Sequence, residues 1–149
     1  MTACPAGSGR THKPARLIAG LTPQAHGVID AEMRAVLDER EALMEARTDA
    51  VLDGALSESA PWTKALGTPP TDRRRAAAWR SAARVVAAYR DRYRITDDTP
   101  LGAPPESAAQ AIDAARARAA LDRTLNVARV EHDQEHSRHA RTQRTGPSL

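Results

Sequence analysis

The chain has 149 residues, 41% of them hydrophobic, with no phenylalanine, a single cysteine and a net charge of +3. That length allows one ordinary domain at most, and much of the apolar fraction is alanine, which favours helix but buries little area, so the core should be thin. Cys4 alone excludes a disulfide framework, no run of about 18 apolar residues offers a transmembrane helix, and Met1–Leu17 has no apolar leader core, so the expected compartment is the cytoplasm.

Taken in order, residues 1–29 read as a flexible segment. Met1–Lys13 is rich in Gly, Ser, Thr and Pro and has no period, which predicts disorder. Leu17, Ile18 and Leu21 form a short apolar patch closed by Thr22-Pro23, expected to dock on the helices as a one-turn segment. His26-Gly27 signals a loop.

A helical domain is expected over 30–139, with helices at about 31–53, 72–95 and 106–136. Asp30 is a good N-cap for the first helix, with Glu32 in its first turn. Its apolar positions are Met33, Val36, Leu37, Leu43, Met44, Ala50 and Val51, in clusters seven apart, which suggests a hairpin or short coiled-coil seam. Arg40 and Arg47 fall between the clusters and can lay their stems over the seam. Gly54 is the expected stop, with Leu56 as its hydrophobic contact. Pro61, Gly67, Pro69 and Pro70 then forbid one continuous helix. Trp62 and Leu66, four apart, fit one helical turn that turns both inward, with Trp62 as the plug of the hairpin.

The second helix, capped by Thr71 or Asp72, organises the chain. Trp79, Ala82, Val86, Tyr89 and Tyr93 follow at steps of three, four, three and four, which places all five on one stripe. Arg90, Arg92 and Arg94 close that helix favourably for its dipole, before a segment broken by Pro100, Gly102, Pro104 and Pro105. The third helix carries Ala108, Ile112, Ala115, Leu121, Leu125 and Ala128 as its apolar face, interrupted by Arg118. Beyond Val130 the apolar content vanishes, so this helix should fray, and 140–149 read as a disordered tail. The fold class is therefore all-α: an antiparallel hairpin of the first two helices, a third helix held less firmly, and disordered ends. The core should comprise Met33, Leu37, Leu43, Met44, Val51, Trp62, Leu66, Trp79, Ala82, Val86, Tyr89 and Tyr93.

Charge is divided between the helices. All but two of the 22 basic residues, Lys13 and Lys64, are arginine. Asp30–Glu58 has nine acids against three arginines, whereas Arg73–Arg94 has eight arginines against Asp91. An acidic helix beside a basic one pairs naturally, so internal charge matching is the first expectation. The other is that Arg73, Arg74, Arg75, Arg80 and Arg84 face a nucleic-acid backbone. Arg73, Arg80 and Arg84 share a side of the helix away from the Trp79 stripe.

Chemistry is nearly absent. His132, His136 and His139 lie at i, i+4 and i+7, a spacing at which imidazoles can share a zinc or nickel ion. His132–His136 also matches the H-x-x-E-H pattern of one metallopeptidase class. That activity needs a further ligand and a water-excluding cleft, and no acidic residue follows His136. The histidines read as a solvated tail, with surface metal binding as the lesser reading. No phosphate-binding loop, dinucleotide glycine pattern or nucleophile elbow occurs, so neither catalytic residues nor a cofactor are expected.

A series of landmarks carries a resemblance. Leu17-Ile18-Ala19-Gly20-Leu21 comes first, then Glu39–Arg47 (EREALMEAR), then Pro61-Trp62 with Leu66-Gly67. Val86–Tyr93 (VAAYRDRY) runs into Ile95-Thr96-Asp97, and Pro100-Leu101-Gly102 completes it. In this order and spacing, Leu17–Gly102 resembles the C-terminal region of TrwC/MobF-type conjugative relaxase–helicases. The nicking tyrosines, the metal-binding histidine cluster and the helicase core of that family have no counterpart here, and no catalytic residue carries over. The resemblance implies a non-catalytic helical accessory module of plasmid or mobile-element DNA transfer, contacting a relaxase or its partners. The chain would be a separate small protein or what is left of a truncated gene. The alternative is a small arginine-rich nucleic-acid-binding protein, with single-stranded DNA as its ligand. The thin core adds self-association as a homo-oligomer, and no membrane partner is expected.

Overall fold

The computed structural model describes residues 17–23 and 30–144. The readings made for 1–16, 24–29 and 145–149 lie outside the described residues. Two short strands, β1 (Leu17–Ile18) and β2 (Thr22–Pro23), precede helix α1 (Ala31–Ser57), a 3-10 turn (Pro61–Leu66), helix α2 (Arg73–Arg92) and helix α3 (Ala108–Arg144). The fold is all-α, and its hairpins are antiparallel. Glu45 of α1 meets Arg84 and Asp53 meets Arg80, so α1 and α2 run in opposite directions. Tyr93 bonds Asp113, while Thr71 bonds Glu131 at the other end of α2, so α3 runs back along it.

Helix α2 is the shared partner. Asp72 caps it by accepting the Arg75 amide at 3.0 Å. Its stripe is buried as the spacing predicts: Trp79, Ala82, Val86 and Tyr89 are inside, and Tyr93 is half-buried. The α2–α3 pairing is the more extensive one, and it is made of small residues. Ala83 and Ala87 of α2 and Ala117, Ala120 and Thr124 of α3 are all sealed from solvent. Small side chains let two backbones approach closely, so alanine here supplies fit more than area.

That corrects the face expected for α3. Ile112 and Leu125, two of its larger apolar residues, are exposed, and Asp113 is buried in their stead. Helix α3 also extends to Arg144, past the expected end near 136 and into the expected tail. Its last third has every side chain from His132 to Gln143 exposed. Ala140, Arg138, Arg141 and Gln143 are good helix formers, which continues the helix without apolar support.

Helix α1 departs further. Asp30 caps it as expected, accepting the Met33 amide at 2.8 Å. Met33 and Leu43, expected in the core, are 53% and 65% exposed. Leu37, Met44 and Val51 are half-buried. The buried residues are Thr48 and Leu52. At about 100° per residue, Leu43 lies about 180° around the helix from Leu52. Met33 is lost for another reason. With Glu45 opposite Arg84, α2 ends at Arg92 after matching α1 back only to about Leu37, so the first turns of α1 overrun their partner.

Helix ends fall where glycine does not stand. Gly54 is inside α1, and a Cβ there would meet nothing within 4 Å. The actual ends, at Ser59 and Arg94, have positive φ of 52° and 50°. Each is followed by an amide reaching back to the helix, Ala60 to the Ala55 carbonyl and Ile95 to the Arg90 carbonyl, both at 2.9 Å. This left-handed closing residue is usually glycine. We therefore expect Gly54→Ala to raise stability by about 1 kcal/mol, since glycine costs about that in a helix interior. Arg94→Gly should stabilise by about 1 kcal/mol, through relief of the left-handed backbone. Urea midpoints of the two variants check both.

The first segment docks, but as a strand pair with Leu17 opposite Pro23 and Ile18 opposite Thr22. Its turn has φ of 51° at Ala19 and 76° at Gly20, the pair of positive values that a primed hairpin turn requires. Gly20 is needed twice over, because a Cβ there would come within 2.5 Å of Val85. Glu45 accepts the Ala19 amide, and Arg116 donates to the Leu21 carbonyl, so this turn touches all three helices.

Candidate interaction surface

The seam between α1 and α2 is largely electrostatic. Arg80 donates to Asp53 at 2.8 Å and Asp49 at 3.2 Å. Arg84 bonds Glu45, and its Nε lies 2.9 Å from Asp49. Arg47 grips Asp91 with two bonds of 2.6 and 2.8 Å. The segregated charges thus pair with each other, as the first expectation had it. Two of the five arginines considered for phosphate contact, Arg80 and Arg84, are held by α1 carboxylates and are not free. Arg73 and Arg74 are exposed, while Arg75 is half-buried near Glu131.

These pairs hold carboxylates below their usual range. The Arg80 hydrogen bond lowers Asp53, and the Arg47 bond lowers Asp91. Glu131 is lowered by the Thr71 hydroxyl and by the amides of Thr71 and Asp72. A depressed folded pKa gives stability that is present above the unfolded value and lost as pH falls through the folded one. The urea midpoint should therefore fall between about pH 5 and about pH 3. Arg47→Gln with Arg80→Gln should flatten that fall; an unchanged profile would mean that the ladder adds nothing.

Arg90 stands in the last turn of α2, as expected, but it is only 7% exposed. Its guanidinium donates to the carbonyls of Asp97 at 2.7 Å, Thr99 at 2.6 Å and Pro100 at 3.1 Å, and lies 4.7 Å from the Trp62 ring centre. Burial pushes its pKa down. Position carried a signal: Arg90 is four residues after Val86, on the inward row. Beside it, Tyr93 donates to Asp113 at 2.6 Å, which raises the phenol. These contacts hold the α2–α3 connection.

The histidines stay together. His132 and His136 have ring centres 5.0 Å apart, and with Glu135, His139, Ala140 and Gln143 they line one shallow groove. Among the described residues, no group of three or more His, Cys, Asp or Glu is placed to hold a metal ion. Among them also, no helix is long and apolar enough to cross a membrane.

What remains open is the outer face of α1. Val36 and Leu43 lie within about 20° of each other around the helix, with Met33 about 60° from Val36. All three are exposed, beside the exposed Arg40. No protein-family model, curated protein or solved structure matches the chain.

Proposed function

We propose that this chain is a non-catalytic helical interaction module that docks a protein partner on the outer face of α1. The observation that carries this is the pairing of exposed Met33, Val36 and Leu43 with a basic helix whose central arginines are already matched from within. Apolar residues lined up on an exposed helix face mark a docking surface of the helix-in-groove kind. The partner class follows from the landmark series, namely a relaxase or another component of conjugative DNA transfer. In support, three of the five landmarks fall on packing junctions. Ala19-Gly20 makes the docked turn, Trp62 and Leu66 are buried, and Val86–Arg90 is the most buried stretch of α2.

The test is titration of the full chain against a purified C-terminal fragment of such a relaxase. Association should persist as salt rises, because an apolar face drives it. Leu43→Glu should weaken it at least tenfold (~1.4 kcal/mol) with no change in urea midpoint. Absence of association would remove this reading. The nucleic-acid reading retains Arg73 and Arg74, which are exposed at the start of α2. It would gain if single-stranded DNA bound with steep salt dependence that Arg73→Ala and Arg74→Ala reduce.

A further inference from the structure

The exposed end of α3 poses a physical question. From His132 to Gln143 every side chain is exposed, and isolated helices of such length are marginal in water. One face of this stretch carries all of its imidazoles, and none of them is used by the packing. We propose that His132 and His136 form a two-imidazole site for a divalent transition ion of the zinc, nickel or copper class, and that the bound ion staples the projecting end of α3.

Spacing comes first. Residues i and i+4 are neighbours on a helix surface, and here the two ring centres lie 5.0 Å apart with their planes tilted by 39°. An ion about 2.1 Å beyond a ring nitrogen lies roughly 3.2 Å from that ring's centre. With centres 5.0 Å apart, two such vectors meet at about 100°, close to the tetrahedral angle that zinc takes. Side-chain rotation has to aim one nitrogen of each ring at the ion, and both side chains are exposed and can rotate.

Chemistry selects the ion. Two neutral imidazoles favour zinc, nickel or copper over magnesium or calcium, which take oxygen ligands. No third side chain among the described residues is placed to join them. Two protein ligands leave the remaining positions to water, so the site is open, exchangeable and weaker than a structural zinc site. Binding would tie one turn to the next at the start of the projecting stretch, which couples the ion to helix formation.

The experiment titrates the full chain with zinc chloride by calorimetry, and follows amide exchange over 132–144 by mass spectrometry. Expected are one ion per chain and at least fivefold slower exchange there. His132→Ala and His136→Ala should each weaken binding tenfold or more, with His139→Ala within twofold of the parent and magnesium chloride inert. All three positions are exposed, so the variants keep the fold. The proposal is overturned if no zinc binds at millimolar concentration, or if exchange over 132–144 is unchanged on binding. It is also overturned if His139→Ala matches the loss of His136→Ala while His132→Ala is neutral, because the ligand pair would then be a different one.

Discussion

Arg90→Ala is expected to destabilise the protein by about 3 kcal/mol, since three hydrogen bonds from one charged donor, each worth about 1.5–3 kcal/mol before water replaces part of them, are lost together. Three carbonyls, those of Asp97, Thr99 and Pro100, would lose a charged donor together, and the face of Trp62 would lose its cover. Asp97 and Thr99 are exposed and Pro100 is half-buried, so water takes over part of that loss. At a urea slope of about 2 kcal/mol per molar, the midpoint should fall by about 1.5 M. Arg90→Lys keeps the charge but not the planar fork, so it should recover only part of the loss. A shift under about 1 kcal/mol in the alanine variant would mean that Leu101 and Ile95 hold the connection without it.

Trp79→Ala should be the other large loss, about 3–5 kcal/mol, as for deletion of a buried aromatic side chain. Trp79 is 3% exposed and lies where α2 meets the 3-10 turn, to which it is tied by its indole N–H at 3.0 Å from the Leu66 carbonyl. Leu66 itself is fully buried. Truncation therefore opens a cavity and leaves a buried carbonyl unmet at one step. Trp79→Phe separates the two effects, because the ring largely fills the space while the hydrogen bond is lost. Most of the alanine penalty should be recovered, less about 1 kcal/mol for the bond. Chemical denaturation followed by far-ultraviolet dichroism measures both, since fluorescence from Trp79 is lost in either variant. Equal penalties for Ala and Phe would show that the hydrogen bond, and not the volume, dominates.

Much of the fold was legible because a few residues have strong local meaning. Asp30 and Asp72 cap helices as their side chains dictate. Pro61 with Trp62 and Leu66 makes a single inward turn. Large residues at steps of three and four mark the α2 stripe without ambiguity. The rest was obscured by one assumption, that the larger apolar residues point inward. On α1 that rule selected Met33 and Leu43, whereas the real seam uses Thr48, Leu52 and ion pairs with Arg80 and Arg84. On α3 it selected Ile112, whereas close approach to α2 requires Ala117, Ala120 and Thr124. Helix ends were hidden because the left-handed closing residues are Ser59 and Arg94, which no glycine rule would find. Of the candidate surface, the charge pairing could be read in advance from the acid and arginine blocks. The exposed face of α1 could not, since it depends on which side of α1 meets α2 and, for Met33, on how far α1 overruns its partner.

The docked turn at Leu17–Pro23 has a consequence for the order of folding. Its holding contacts come from Glu45, Val85 and Arg116, and the last of these lies 95 residues away from Leu21 along the chain. None of those anchors stands in place until α1, α2 and α3 have assembled, and closing so long a loop gains nothing earlier. Helix pairing is local and rapid, so the turn is the last piece to arrive. By the same logic it is the first to leave, as a small cooperative unit opening below the free energy of global unfolding. Its departure would bare Val85 and the small-residue flank of α2 while the helices stay paired, a brief excursion in which the protein shows an apolar surface that the closed form keeps covered.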